Sequence, residues 1–376
     1  MILVAIFGII IIVYGFVITL AMIGWGRLLY FRADRRHAPD TRVSVVIAAK
    51  NESANIEACL REITRQYYPK HLMEIIVVDD ASDDDTYEAL VSFASQATVH
   101  MRVIRQQAHA GKKRCLSAGI EASNGTLIVT SDADMFGRSD YWLHTIVNYY
   151  EINRPKLMIL PLSFGTGHSL LARFQILENI ALTGITAGYA GIQSPFLCNG
   201  ANLAFEKEAF HAVGGYEAHV EIASGEDVFL LEDIKKRYSA KAIHYVFSRE
   251  AVARTYMMKT LEAFFHQRLR WAYKAKYNSN KINPFIGFIV VAANLIFPAL
   301  IVGILQKSAL IYYLSIFMAA KAVFDFLLLF LASDFLGIRY MLIFLLPFEC
   351  IYWIYATVIG LSSMILKPTW KNRKIR

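Results

Sequence analysis

The sequence is poor in charged residues. Asp, Glu, Lys and Arg make up only 19% of its 376 residues, whereas hydrophobic residues make up 56%. An ordinary soluble protein is less apolar, so we expect the excess to lie in membrane spans. The net charge is +8, but no basic stretch is interleaved with aromatic residues, which excludes a nucleic-acid binder. The cations lie beside hydrophobic runs, which favours a lipid bilayer as the partner.

Cysteine is also scarce. The four cysteines lie far apart, with no CxxC pair and no zinc-type spacing, and the ten histidines include no convincing ligand pair. These absences exclude a disulfide framework and a zinc module, so we expect small buried thiols in a reducing compartment. The sequence contains no fixed-period repeat and no low-complexity tract, which excludes a solenoid.

The chain begins with a long uncharged run. Residues 2–25 contain no charged side chain and are numerous enough to cross a bilayer. The charged start and cleavage site of a secretory signal peptide are missing, so we predict a signal anchor over 1–26. An excess of Arg follows the anchor and marks the cytosolic side, which predicts a multi-pass protein of the cell (inner) membrane whose next domain is cytoplasmic. The cations concerned are Arg27, Arg32, Arg35, Arg36 and His37.

Further apolar runs lie near the other end of the chain. Within residues 283–367 we predict about three spans, and a basic tail follows over 368–376. Pro347 and Glu349 indicate that the last span is broken. An anchor plus three spans leaves the tail outside, although its cations favour the inside. Two explanations stay open: one segment is re-entrant, or the charge rule fails here.

Two further charged residues lie within the second of these apolar runs. Lys321 and Asp325 are four residues apart, which places them on one face of a helix, where they can form a pair. One interpretation is a polar lining that faces a cavity. The other is a structural pair between helices.

The middle of the chain has the pattern of an α/β domain, which we place at residues 41–255. Short β-branched runs alternate with amphipathic segments, as in a parallel sheet with crossover helices. Ligands of such sheets bind at the carboxyl ends of the strands. The predicted strands are 43–49, 74–78, 103–105 and 126–130, and the predicted helices are 52–66, 84–94 and 112–122.

An aromatic, basic and amphipathic stretch occupies residues 256–282. Its composition is typical of a helix that lies in the membrane interface. Residues 169–182 are a weaker candidate for the same role, and a plain core helix is the alternative there.

Acidic residues follow two of the predicted strands. Asp132 and Asp134 are two apart, so on an extended chain both carboxylates face one divalent cation; a helix cap or surface turn is the alternative. Asp79 and Asp80 end another strand, where they can bind a nucleobase or ribose. The alternative is that this turn caps the next helix, since Ser82 and Asp83 are good capping residues.

Three other motifs accompany these acids. Lys112 opens a helix, where a cation attracts phosphate, unless it is a solvated basic turn. Glu226 and Asp227 precede an apolar helix, as suits a general base or a capped helix start. In the segment Gln267-Arg268-Leu269-Arg270-Trp271, Arg270 can hold a diphosphate and Trp271 can stack on a sugar, or both can anchor an interfacial helix.

The order of these motifs resembles the inverting family 2 glycosyltransferases of the GT-A fold. Over about residues 41–272 the chain is similar to membrane-bound polysaccharide synthases such as hyaluronan, cellulose and poly-N-acetylglucosamine synthases. Ceramide glucosyltransferases share the last motif. The resemblance implies a nucleotide-sugar-binding α/β domain, with a mostly parallel sheet and flanking helices, joined to transmembrane helices.

The resemblance also implies a role for each motif residue. Asp227 is expected to be the catalytic base, and Asp134 with Asp132 is expected to bind Mg²⁺ or Mn²⁺. The donor is expected to be a UDP-linked sugar, bound by Ala48, Lys50, Glu52, Asp79, Asp80, Lys112, Asp132 and Arg270. The residues expected at the acceptor and the transferred sugar are Asn199, Gly200, Glu226, Gln267 and Trp271.

The chain departs from the family pattern at a few positions. Ala81 follows Asp80 where Gly is commoner, and Gly225 stands where the synthases usually have Thr, which bears on processivity. Three functions therefore stay open. They are transfer to a glycan or polysaccharide, single transfer to a ceramide- or diacylglycerol-like lipid, and an inactive membrane scaffold.

Overall fold

The computed structural model describes residues 2–220, 222, 225–274, 280, 282–306, 309–366, 369–370 and 373–374. These residues form two compact units. The sheet unit comprises residues 29–165 and 193–256. The helical unit comprises residues 2–28 and 166–192 and the chain from Met257 onward.

Among the described elements, strands and helices are interspersed through the sheet unit, and the helical unit is helical apart from two short strands, Thr369–Trp370 and Arg373–Lys374. The strands are β1 (Val43–Ala49), β2 (Met73–Asp79), β3 (His100–Arg105), β4 (Leu127–Asp132), β5 (Leu157–Ile159), β6 (Leu162–Phe164), β7 (Asn202–Glu206), β8 (Ile243–Tyr245), β9 (Ala253–Thr255), β10 (Thr369–Trp370) and β11 (Arg373–Lys374). The helices are α1 (Ile2–Arg27), α2 (Ile56–Thr64), α3 (Thr86–Gln96), α4 (Lys112–Glu121), α5 (Trp142–Asn153), α6 (Leu170–Gly191), α7 (Lys207–Ala212), α8 (Glu226–Tyr238), α9 (Leu261–Lys274), α10 (Ile282–Asn294), α11 (Ile296–Leu305), α12 (Leu310–Leu336) and α13 (Leu345–Ile365).

The sheet unit is built on a sheet of seven strands in the order β3-β2-β1-β4-β7-β5-β8. The pairs β1–β2, β1–β4, β2–β3 and β5–β8 are parallel, whereas β7 runs antiparallel to both neighbours. The predicted α/β class and mostly parallel sheet are confirmed. The apolar runs of β1 and β2 are buried along almost their whole length, as in a sheet covered on both faces.

Element boundaries differ by a few residues from those predicted. The predicted helix 52–66 begins only at Ile56, because Glu52 lies in a turn where its backbone N–H donates to Thr86 Oγ1 at 2.8 Å. The predicted strand 126–130 extends to Asp132 as β4. In register, Ala49 lies beside Asp79 and Ala48 beside Asp132. The carboxyl ends of the three central strands are therefore level with one another.

Among the described residues of the helical unit, four segments are long and apolar enough to cross a membrane. They are Ile2–Arg27, Ile282–Leu305, Leu310–Leu336 and Arg339–Ile365. The second consists of α10 and α11, and the fourth changes from a 3₁₀ turn to α13 at Leu345. Pro347 thus lies in the first turn of α13, where its missing N–H breaks no intrahelical bond.

Helix α6 is a core helix of the helical unit. It contains residues 169–182 almost entirely, and most of its side chains, including Gln175 and Glu178, are buried. The interfacial interpretation of this segment is therefore wrong, and the alternative is right. Trp25 of α1 donates its indole N–H to Gly184 O at 2.8 Å, which ties α6 to the first helix.

The pair Lys321 and Asp325 links three helices. Lys321 Nζ lies 2.7 Å from Asp325 Oδ2 and 2.5 Å from Glu349 Oε2 on α13, and Tyr14 of α1 donates to Asp325. Both members of the pair are buried. This arrangement matches the structural pair rather than the lining of a cavity.

Parts of two predicted segments lie outside the described residues. In the amphipathic stretch 256–282 the structure describes α9 but not 275–279 or 281. In the basic tail it describes only the short hairpin of β10 and β11.

The close approach of α1 and α6 gives a stability prediction. A Cβ on Gly24 would lie 1.7 Å from Gly188 O, whereas a Cβ on Gly26 meets nothing within 4 Å. Backbones that approach this closely leave no room for a methyl group. We expect Gly24→Ala to destabilise the protein by about 1–3 kcal/mol and Gly26→Ala to change little. Thermal unfolding in detergent measures both, and equal melting temperatures would contradict the helix contact.

Candidate active site

Most of the predicted site residues of the sheet unit lie at one edge of its sheet. They follow β1, β2 and β4, whose carboxyl ends are level, and β7 and α8 bring further residues to them. The residues at the strand ends are Ala48, Lys50, Glu52, Asp79, Asp80, Asp132 and Asp134.

The turns after β1 and β2 support each other. Lys50 Nζ donates to Ala81 O at 2.7 Å and to Asp80 O at 3.3 Å. Asn51 donates its N–H to Ser82 Oγ at 3.0 Å. Ala81 has a left-handed backbone with φ of +52°, a conformation in which glycine is favoured. That geometry explains why Gly is the commoner residue here in the family that the motifs resemble.

Asp79 and Asp80 have different surroundings. The Asp80 carboxylate accepts from the backbone N–H groups of Ala110 at 2.6 Å and Gly111 at 3.0 Å, and His109 Nδ1 lies 2.7 Å away. Asp80 thereby fixes the loop that leads into α4. Asp79 is fully buried, and its Oδ1 has no hydrogen-bond partner among the described residues. Of the two, Asp79 therefore retains an acceptor that the protein does not use.

Lys112 joins three elements of the site. Its ammonium lies 2.6 Å from Asp132 Oδ1 at the end of β4 and 2.8 Å from Glu226 Oε1 at the start of α8. Burial lowers the pKa of Lys112, but the two carboxylates raise it by more, so the pKa lies well above its ordinary value. Lys112 is therefore a fixed positive charge, and the alternative of a solvated basic turn is wrong.

Asp132 and Asp134 do not lie on one extended stretch of chain, so the predicted geometry of this pair is wrong. The strand β4 ends at Asp132, and Ala133 and Asp134 form a turn, in which Thr255 Oγ1 donates to Asp134 Oδ2 at 3.4 Å. The two carboxylates still influence each other. Burial, Asp132 and Glu52, in that order, raise the pKa of Asp134 to about 6. The turn brings acids together with too little positive charge to compensate them.

This donor set fits a hard divalent cation. Carboxylate oxygens are the ligands that Mg²⁺ and Mn²⁺ prefer, and Mg²⁺ is commonly held by one or two carboxylates with substrate phosphates supplying further oxygens. Within the described part of the chain, no three His, Cys, Asp or Glu side chains converge to hold a metal by themselves. Asp132 and Asp134 are thus suited to a cation that shares its coordination with a bound ligand.

Asp227 lies in the first turn of α8 and is buried, with 8% of its surface exposed. Its Oδ2 accepts from the backbone N–H of Gly200 at 3.2 Å, and its Oδ1 accepts from that of Val228 at 2.8 Å. Gly225 begins the helix with φ of +88°, a left-handed value that disfavours Thr at this position. The structure thus brings the predicted base to the predicted segment Asn199–Gly200.

Gln267, Arg270 and Trp271 lie on α9 of the helical unit. Their roles at a donor and an acceptor stay predictions.

Sequence reasoning missed several side chains that hold the site. Lys113 is buried and donates to His219 O at 2.7 Å and Ile222 O at 2.6 Å, which ties these two residues to α4. Arg105 lies 3.7 Å from Asp79. Lys112 and Lys113 are adjacent in the sequence, yet Lys112 pairs with acids and Lys113 binds backbone carbonyls about a hundred residues away. No local sequence pattern distinguishes these two roles.

The raised pKa of Asp134 predicts a pH-dependent stability. A carboxyl whose folded pKa is about 6 costs stability once it ionises, so the penalty is absent below about pH 4 and complete above about pH 7. We expect Asp134→Asn to stabilise the metal-free protein at pH 7.5 by about 1–2 kcal/mol, a value discounted for partial exposure. The gain should shrink as the pH falls through 6 towards 4, because the wild-type carboxyl then becomes neutral as well.

Thermal unfolding in detergent with a chelator present measures this difference. Asp140→Asn is a matched control because Asp140 is an exposed acid of the same unit. A gain of equal size at both ends of the pH range would contradict the crowding of carboxylates around Asp134.

The chain is similar in sequence to several known glycosyltransferases. The profile of Glycosyl transferase family 2 matches residues 44–211. The chain is 26% identical over 253 residues to the probable glycosyltransferase YdaM of Bacillus subtilis, an alignment that covers 66% of this chain and 58% of that protein. It is 23% identical over 258 residues to a poly-β-1,6-N-acetyl-D-glucosamine synthase of Staphylococcus epidermidis, with 66% and 57% covered. The chain thus spans less than two thirds of the length of these relatives.

A solved structure has a similar fold over nearly the whole chain. The mannosyltransferase PcManGT from Pyrobaculum calidifontis, in complex with GDP-Man and Mn²⁺, superposes with a TM-score of 0.57 at 18% identity and covers 96% of this chain and 99% of its own. The resemblance that the motifs carry is confirmed to this extent: residues 44–211 match the profile of Glycosyl transferase family 2, and the chain has a GT-A type of fold.

Proposed function

We propose that the protein is an inverting glycosyltransferase that moves a sugar from a nucleotide sugar to an acceptor hydroxyl at the cytosolic face of a membrane. The observation that carries this proposal is the buried carboxylate of Asp227, which accepts a hydrogen bond from Gly200. Both residues lie in the same sheet unit as Asp79 and Asp132. A base, an unused acceptor for a nucleotide and a pair of acids suited to a cation are the parts that such a transfer requires.

In the proposed reaction Asp227 accepts the proton of an acceptor hydroxyl. The acceptor oxygen then bonds to the anomeric carbon on the side opposite the nucleotide, and the bond from that carbon to the diphosphate breaks. The nucleoside diphosphate leaves with the electron pair, and a single displacement inverts the sugar configuration. Asp132 and Asp134 would hold Mg²⁺ or Mn²⁺, which when bound supplies positive charge against the leaving diphosphate.

Lys112 has an organising part in this scheme. It binds Glu226, the neighbour of the base, and Asp132, a candidate metal ligand, through contacts of 2.8 and 2.6 Å. One ammonium therefore fixes the start of α8 relative to the end of β4. The base and the metal ligands are placed before any substrate arrives, which lowers the cost of reaching the reactive geometry.

We propose a UDP-linked donor and a glycan or polysaccharide acceptor. The similarity to a poly-β-1,6-N-acetyl-D-glucosamine synthase over 66% of this chain supports a polysaccharide product. Gly225 in place of the Thr that is usual in synthases leaves the number of transfers per binding event open. The Arg-rich segment after α1 supports the cytosolic side.

A donor screen tests the proposal. The purified full chain in detergent or vesicles would be incubated with radiolabelled UDP-sugars and Mn²⁺, with Mg²⁺ and a chelator in parallel. We expect labelled polymer that the chelator abolishes. Labelled lipid would instead identify a single-transfer enzyme, and absence of any product across UDP- and GDP-sugars would contradict the enzymatic proposal.

Asp227→Asn tests the base. The substitution keeps the shape of the side chain but removes its basicity, so we expect transfer to fall by about 10²–10⁴-fold while donor binding changes little. Asp233→Asn is a matched control, since Asp233 lies on the same helix and pairs with His219 at 2.9 Å. Initial rates and isothermal titration with UDP separate the two effects. Wild-type turnover of Asp227→Asn would reject the assignment.

A further inference from the structure

A buried arginine lies inside the motif on α9. Arg268 stands between Gln267 and Arg270 in the sequence and is only 2% exposed. Its Nη1 donates to Gln267 Oε1, and the centre of its guanidinium lies 4.2 Å from the ring centroid of Trp271. Arg268 therefore contacts two of the three side chains that the family resemblance places at the diphosphate and acceptor.

Two other helices of the helical unit fix this guanidinium. Glu178 of α6 accepts from Arg268 Nε at 2.7 Å, and Nη2 lies 2.5 Å from the same oxygen. The other oxygen of Glu178 accepts from the hydroxyl of Tyr355 on α13. The ring of Phe264, one turn earlier on α9, lies 4.5 Å below the guanidinium and completes its surroundings. The position of Arg268 is thus set by three helices.

Helix α6 also holds the approach to α9. The side-chain amide of Gln175 exchanges two hydrogen bonds with the backbone of Met258, each of 2.9 Å. Gln175 and Glu178 are three residues apart and lie on one face of α6. The same face thereby fixes the chain before α9 and a side chain in the middle of it.

Stability alone is a weak explanation for a buried ion pair here. Removing two charges from water costs free energy that the pair only partly regains, and well-packed neutral side chains are often equally stable. What an arginine adds is direction, because its planar group presents N–H donors at fixed angles and a flat face to an aromatic ring. Both features are used here, on Gln267 and on Trp271.

We propose that Arg268, held by Glu178 and Tyr355, is the positioning residue of the Gln267–Arg270–Trp271 motif. It orients Gln267 through a hydrogen bond and Trp271 through its ring face, and it does not itself contact the substrate. The proposal rests on the proposed transferase function for its effect on turnover, but its effect on Trp271 is independent of that function.

The experiment compares Glu178→Gln, Arg268→Gln and the double variant with wild type. Each single change leaves one buried charge without its partner, so both single variants should melt at a lower temperature. The double variant removes both charges and should regain most of the wild-type melting temperature. The orientation of Trp271 should not be restored in the double variant, because the guanidinium of Arg268 over its ring is still missing.

Two readouts separate positioning from stability. In the double variant we expect kcat for sugar transfer to remain at least about tenfold below wild type, with the Kd for UDP within about twofold. We also expect acrylamide to quench Trp271 more strongly, measured as the difference from the same variants carrying Trp271→Phe. Arg173→Gln is a matched control, since Arg173 lies over the ring of Phe344 at 4.3 Å on the same α6.

The outcomes are distinguishable. A double variant with wild-type stability, wild-type kcat and unchanged quenching would show that Arg268 is merely structural and would overturn the proposal. If wild type transfers no sugar, the transferase function fails, while the quenching difference still tests the position of Trp271.

Discussion

The arrangement of the site depends on one lysine, Lys112, that pairs with two of its carboxylates at once. Lys112 is shared between Asp132 and Glu226, and so one ammonium sets the distance between β4 and α8. Asp134 is left beside Asp132 and Glu52, which together with burial raise its pKa to about 6. Such crowding lowers the stability of the ligand-free protein. Functional sites commonly contain unfavourable interactions of this kind, which the rest of the fold offsets. The turn after β4 is held in this state by the surrounding sheet.

Much of the sheet unit could be predicted from its sequence because its signals are local. A buried parallel strand is a short β-branched run, and the acids that follow β2 and β4 mark the carboxyl edge where ligands bind. Strand β7 was beyond such reasoning, since its antiparallel position between β4 and β5 is decided by pairing over long distances in the chain. Contacts between distant parts of the chain also distinguish Asp80 from Asp79, which precedes it in the same motif. The Asp80 carboxylate accepts hydrogen bonds from the backbone N–H groups of Ala110 and Gly111.

The helical unit solves a similar electrostatic problem in the opposite way. Among the described residues of this unit, the buried acids Asp325 and Glu178 each have a cation in contact: Lys321, which also pairs with Glu349, and Arg268. Paired charges in an apolar environment have a strong preference for one geometry, since any slip leaves a charge unpaired. The pair at Lys321 was visible from its spacing of four residues, whereas that of Arg268 joins residues ninety apart and leaves no pattern in the sequence.

The charges of the site favour a divalent cation independently of the similarity to known proteins. A nucleotide sugar carries a diphosphate, and the proposed site already contains Asp134, whose pKa is raised to about 6 by burial and, next, by the Asp132 carboxylate. An anion that enters such a site meets unfavourable potential unless positive charge comes with it. Lys112 cannot supply that charge without releasing Asp132 or Glu226, and release of Glu226 would free the neighbour of the proposed base Asp227. Asp132 and Asp134 would hold a divalent cation, which would supply positive charge against the diphosphate and leave Lys112 in place to hold α8.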